Sequence, residues 1–200
     1  MTAPEAAHGL GSNTLSGVTF STLGYTHRAC RRPKGSSQHR RGARAVARRG
    51  RRARHDPRPR ALQPLRDAPV NTADQAVALI ERIGEPALMI HLDTYHMNIE
   101  EKGFRSGVLK AGRHLKYIHL SESDRGVPGT GTVDFAATMA AFAEIGFQGD
   151  IVGEAFINMP PALAKALSVW RPVAKSAEEV LDPGMTMLKR LAVEHGLVAA

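Results

Sequence analysis

Two hundred residues, 42% of them hydrophobic and 23% charged, have the composition of a chain able to bury one ordinary core. That composition excludes a wholly disordered protein, and no apolar run approaches the roughly 20 residues of a membrane span. The single cysteine, Cys30, excludes an intrachain disulfide framework and cysteine-based zinc motifs. With no basic and then apolar leader at the N-terminus, a cytoplasmic protein is expected. The net charge of +8 is unevenly placed. Between Arg28 and Arg66, 15 basic residues and one acid give +14, while the remainder of the chain carries −6.

Residues 1–12 are small and polar and predict a frayed start. Thr14–Thr22, with Val18 and Phe20, predicts a short strand. Residues 27–60 alternate Arg-Arg pairs with Ala, Gly, Pro and His. With almost no apolar period, that segment is expected to stay disordered. From Ala61 the texture changes, and Ala61–Leu65 predicts a strand remnant. Asn71-Thr72 reads as a helix start, with Ala76, Leu79, Ile80 and Ile83 on one face and a stop at Gly84. Ala87–Leu92 predicts a strand buried on both faces. A helix over Glu100–Ala111 stops at Gly112, and Leu115–Leu120 predicts the next strand. Asp134 opens a helix with Phe135, Met139, Phe142 and Ile145 inward, ending at Gly146. Asp150–Ala155 predicts a strand. Two helices follow, Ala162–Trp170 and then Ala177–Glu194 with Val180, Met187, Leu188 and Leu191 inward.

This alternation of about five strands with helices implies parallel strands joined by right-handed crossovers. The expected fold class is therefore α/β. The pattern suits a doubly wound sheet or a (β/α) barrel, and at 200 residues the chain is short of the ~250 of an eight-unit barrel, so a partial (β/α) TIM-type barrel is expected. Three divisions follow: a weak strand remnant over 1–26, the Arg-rich segment over 27–60, and the C-terminal half of a barrel over 61–200. A half barrel leaves open sheet edges and an uncovered apolar face, which favours aggregation or pairing with another chain, and a homo-oligomer is expected if it folds.

Three polar residues stand at strand C-termini: Asp93, His119 and Glu154. Their separations of 26 and 35 residues are about one βα unit each. Such positions converge on one mouth of the barrel, where these folds keep their active sites. Two carboxylates and an imidazole suit Mn²⁺, Mg²⁺ or Co²⁺. Any one of them alone is more often a structural hydrogen-bonding group, and it is the shared position on three consecutive units that favours a metal site. His96 lies three residues past Asp93 on the loop leaving the strand, either solvated or donating to a substrate hydroxyl. Arg125 lies in the glycine-rich loop after His119, either binding a substrate oxygen or pairing with Glu122 or Asp124. The glycine spacing of that loop matches neither the dinucleotide fingerprint nor the P-loop. Trp170 reads as core or rim rather than a sugar platform, and His91 as packed within its strand.

Three strings carry a resemblance: Leu92-Asp-Thr-Tyr-His-Met-Asn-Ile-Glu-Glu101, Ile118-His-Leu-Ser-Glu-Ser-Asp-Arg-Gly-Val-Pro-Gly-Thr-Gly131, and Gly149-Asp-Ile-Val-Gly-Glu-Ala-Phe156. They closely resemble the D-tagatose 3-epimerase and D-psicose 3-epimerase group of the xylose-isomerase-like TIM-barrel sugar isomerases and epimerases. Val169-Trp-Arg171 and Leu15-Ser-Gly-Val-Thr-Phe20 resemble the same group more weakly. The resemblance implies a site of two glutamates, an aspartate and a histidine holding Mn²⁺ or a similar ion. Asp93, His119 and Glu154 match three of those positions, and His96 and Arg125 match positions that hold substrate. It implies proton transfer at C3 of a ketose, with the metal polarising the carbonyl and stabilising the enediolate. Two glutamates exchange the proton on opposite faces, and Glu154 matches one of them.

The resemblance implies that the N-terminal units of the barrel are missing from this chain, and that the other glutamate belongs to a Glu-x-x-Asn-Arg string. Here that place reads Ala61-Leu-Gln-Pro-Leu-Arg-Asp, with Gln63 where the glutamate would be. A glutamine cannot take a proton at neutral pH. An inactive or impaired sugar epimerase is therefore expected. A hydroxypyruvate-isomerase-like or sugar-phosphate isomerase is the alternative enzyme. Residues 28–60 leave three readings open. A frame-shifted translation would turn GC-rich alanine codons into Arg and Gly. A basic arm would contact nucleic acid through phosphates, making the chain a non-catalytic nucleic-acid-associating protein. A solvated linker would have no partner.

Overall fold

The structure is a computed structural model that describes residues 9–11, 15–17, 60–62 and 70–198, the segment 60–62 by its backbone. The Arg-rich stretch up to residue 59 and the position of Gln63 lie outside the described residues, as do residues 14 and 18–22 of the first expected strand.

Among the described residues, five parallel strands form one sheet in chain order. They are β1 (Leu15–Gly17), β2 (Arg60–Leu62), β3 (Leu88–Asp93), β4 (Leu115–Ser121) and β5 (Asp150–Glu154). Sequential order without a switch point is the winding of a (β/α) barrel rather than of a doubly wound open sheet. Five such strands make a partial barrel.

The crossovers follow from local sequence. Helix α1 (Ala73–Ile83) starts where Thr72 accepts from the Gln75 amide and the Glu101 carboxylate accepts from Ala73 N at 2.6 Å. It stops at Gly84, whose φ of 64° is the left-handed turn that a Cβ disfavours. Ala76, Ile80 and Ile83 are buried as the period demands, and Leu79 packs against the core from its margin. On β3, Leu88, Ile90 and Leu92 face the helices, while His91 and Asp93 face the barrel interior. Helix α4 (Phe135–Glu144) is capped by Asp134 and buries Phe135, Met139 and Phe142. Its Phe142 stacks on Phe147 at 5.0 Å.

Three expectations are corrected. The helix expected over Glu100–Ala111 is preceded by an unexpected helix, α2 (Thr94–Glu100), and starts later, as α3 (Phe104–Ala111), because Glu101 leaves the helix and Gly103 takes φ 132°. The helix expected over Ala162–Trp170 is the shorter α5 (Pro161–Ala166), ended before Ser168 turns to φ 58°. The last expected helix is α6 (Ala177–Glu179), a π-helical stretch Val180–Met185, and α7 (Thr186–Glu194). Pro183 lacks an amide proton and sits in the π-helical stretch, where the regular ladder gives way. No helix among the described residues is long and apolar enough to cross a membrane.

Candidate metal centre at the strand ends

The sheet register sets Asp93 beside His119 and Ser121 beside Glu154, so three successive strands bring their polar ends together. One donor atom from each of Asp93, His119 and Glu154 lies within 4.8 Å of the others. Asp93 caps α2 with one oxygen, Oδ1 accepting from Tyr95 N at 2.9 Å. Its other oxygen, Oδ2, stands 3.8 Å from His119 Nδ1 and 4.0 Å from His96 Nε2. His119 Nδ1 also lies 2.9 Å from Glu154 Oε1. Although two carboxylates stand nearby, this buried nitrogen makes no well-aligned hydrogen bond to either. Ser121 Oγ donates to Glu154 Oε2 at 3.2 Å.

Burial disfavours the charged imidazole of His119, but the Asp93 and Glu154 carboxylates outweigh it and hold the pKa up at about 9. Burial likewise works against the Glu154 carboxylate, yet His119, then Arg125 and Ser121, hold its pKa below the usual value. Two anionic oxygens around a misaligned buried nitrogen are the donor set of a divalent cation with oxygen and nitrogen preferences. The residues present therefore fit such an ion.

Beneath this layer sits His91, whose pKa is pushed down to about 3 by burial and then by His119. Thr94 is fully buried and fastens the two strand ends: its hydroxyl donates to Ser121 O at 2.6 Å and accepts from Ser121 N at 2.8 Å.

His96 is not on a loop. It lies in the first turn of α2, because Asp93 starts that helix directly at the strand end. It is buried, with Nε2 3.3 Å from Arg125 Nη2. Arg125 takes φ 62° in its loop and is 5% exposed. Its guanidinium lies 3.7 Å from the Tyr95 ring centroid and 4.4 Å from that of Phe156, and it donates to Leu167 O at 3.2 Å. The expected pairing with Glu122 or Asp124 is not what holds its side chain. Asp124 instead accepts from Arg171 at 2.8 Å and from Gly126 N at 2.9 Å. Trp170 is 76% exposed, so it is not a core residue.

Sequence reasoning missed Glu122. It is fully buried, and its carboxylate accepts from the amides of Ser123 at 2.7 Å, Gly129 at 2.9 Å and Val133 at 3.1 Å. One side chain thus ties down the whole loop that presents Arg125. A Cβ on Gly131 would collide with that carboxylate. Glutamate followed by three glycines within ten residues was the available signal.

Polar side chains gathered at the carboxyl ends of sequential parallel strands define the class: a (β/α)-barrel protein with its functional mouth on that face. Residues 3–173 match the xylose isomerase-like TIM barrel, and the chain belongs to that family. It is 39% identical over 123 residues to the L-ribulose 3-epimerase of Methylomonas sp. (strain DH-1), a match covering 60% of this chain and 43% of that protein. It is 43% identical over 113 residues to the ketose 3-epimerase of Arthrobacter globiformis, covering 56% and 39%. The chain therefore spans about two fifths of the length of these curated relatives. Among solved structures, a D-allulose 3-epimerase from Methylomonas sp. superposes with a TM-score of 0.86 at 30% identity, covering 94% of this chain and 66% of that one. The same enzyme in complex with D-allulose gives 0.84.

Proposed function

We propose that this chain is a divalent-metal-dependent sugar epimerase of the ketose 3-epimerase type, impaired in catalysis. The observation that carries the reading is the convergence of Asp93, His119 and Glu154 at three successive strand ends. The relatives' names support the reaction class, since L-ribulose, ketose and D-psicose 3-epimerases share one stereocentre of action. A divalent ion, Mn²⁺ by preference, supplies Lewis-acid polarisation of a ketose carbonyl when bound. Glu154 stays ionised at neutral pH and takes the proton from C3. His96 Nε2 and the Arg125 guanidinium orient the sugar oxygens. The rings of Tyr95 and Phe156 keep Arg125 from swinging away. The substrate is a small free ketose, and the chain acts in the cytoplasm.

The place of the second base holds Gln63. A lone base removes and returns a proton on one face only. The expected result in D₂O with Mn²⁺ is deuterium entering C3 of one ketose, D-allulose or D-fructose, with no conversion between them by NMR. Measurable conversion would show an unimpaired epimerase. Absence of both exchange and Mn²⁺ binding would sink the sugar-epimerase reading.

A further inference from the structure

We infer that His91 is a positioning residue for His119: together with Tyr117 it seats the His119 ring so that Nδ1 faces the two carboxylates. The inference rests on reading Asp93, His119 and Glu154 as a metal centre. His91 lies two residues before Asp93 on β3, so it faces the same interior one layer below, and it is 1% exposed. Its ring meets that of His119 edge to face, with centroids 4.4 Å apart and planes at 78°. It meets Tyr117 in the same manner at 4.8 Å and 78°. Tyr117 in turn meets His119 at 5.5 Å and 64°. Each of the three rings thus abuts the other two.

The backbone arranges this. The ladder between β3 and β4 slips by one residue between Ile90 and His91, which sets His91 opposite Tyr117 and Asp93 opposite His119. Continued without the slip from Ile90 and Leu115, the ladder would set His91 beside Lys116 and Asp93 beside Ile118. The slip therefore builds the ring cluster and the candidate centre together. From two strands away, Ser16 Oγ of β1 hydrogen-bonds His91 Nδ1 and fixes the rotation of the ring. The opposite nitrogen, Nε2, is buried without a hydrogen-bond partner among the described residues. An apolar side chain would fill the layer without that penalty, so the position supplies a flat ring edge rather than bulk.

The test uses the full chain with His91→Phe, which keeps a ring edge, and His91→Leu, which does not. Mn²⁺ affinity is read by electron paramagnetic resonance, metal-free melting by calorimetry, and the His119 ring by NMR. For His91→Leu, affinity is expected to fall at least about tenfold, in the range seen when ligand supports are removed. For His91→Phe, the loss is expected to stay within about threefold, the low end of a single ring-edge contact. In wild type and His91→Phe, the His119 ring gives one set of signals with cross-relaxation to the ring at position 91, whereas in His91→Leu it averages between orientations. Equal melting temperatures for the two variants separate seating from folding. Should His91→Leu not fold, Tyr117→Leu carries the same contrast. Wild-type affinity and a fixed His119 ring in the leucine variant overturn the inference. If wild type binds no Mn²⁺, the proposed function fails by itself, and the NMR comparison still decides whether His91 seats His119.

Discussion

Asp93 ends a strand whose last four residues are all buried, whereas Glu154 ends a strand in which none is. The side chains follow suit, 1% exposed for Asp93 and 22% for Glu154. Asp93 is gripped by a helix start, and its neighbour Thr94 locks β3 to β4. Glu154 is held by Ser121 and by its neighbour His119, on the strand at the edge of the described sheet. His119 is as exposed as Glu154, at 22%, but the rings of His91 and Tyr117 brace it, so a braced ligand pair stands beside a looser third group. In the proposed chemistry that is the useful division, because the residue that moves a proton is the one with room to move.

The largest effect expected from this contrast is on the rigid side. Asp93→Ala or His119→Ala should abolish Mn²⁺ binding, a loss of about a hundredfold or more by calorimetric titration. Glu154→Gln should cost only about tenfold, at the lower edge of the range for disturbed metal sites, while ending deuterium exchange at C3 entirely. An equal loss of affinity in all three variants would erase the distinction. Thr94→Val would leave the buried Ser121 amide without an acceptor, so urea unfolding should show a loss of about 1–3 kcal/mol. Mn²⁺ affinity should fall in the same variant if the strand lock is what keeps Asp93 and His119 in register.

The smallest effect is in pH. His91 is held near 3 in the folded chain against 6.5 unfolded, so the unfolded state binds the extra proton between those values. Its contribution to stability is present above pH 6.5 and is lost as pH falls toward 3. His119 runs the other way, with a folded pKa of about 9. Its contribution is present below pH 6.5 and is lost as pH rises through 9. For these two imidazoles together, the metal-free melting temperature should peak near pH 6.5, and His119→Ala should remove the alkaline limb.

Much of this was readable from the residues. The 26- and 35-residue spacings located Asp93, His119 and Glu154, because strand ends in a parallel barrel recur once per βα unit. The α1 boundaries followed from Thr72 and Gly84, whose capping chemistry is local. Helix α2 was missed because Asp93 was read as a site residue alone, when it also caps the helix carrying His96. Glu122 was missed because its partners lie one, seven and eleven residues onward and meet only once the loop has closed. The slip between β3 and β4 left no mark in either strand's apolar pattern, since it depends on how the two strands pair.

The helix start at Asp93 carries one more consequence. With Oδ1 engaged by the Tyr95 amide and Oδ2 turned toward His119, this carboxylate favours end-on binding through Oδ2 over binding through both oxygens at once. Calcium satisfies its six to eight ligands partly through two-toothed carboxylates, whereas smaller ions accept single oxygens and fill the remaining positions with water. One backbone hydrogen bond therefore biases the centre by ionic size, before any substrate arrives.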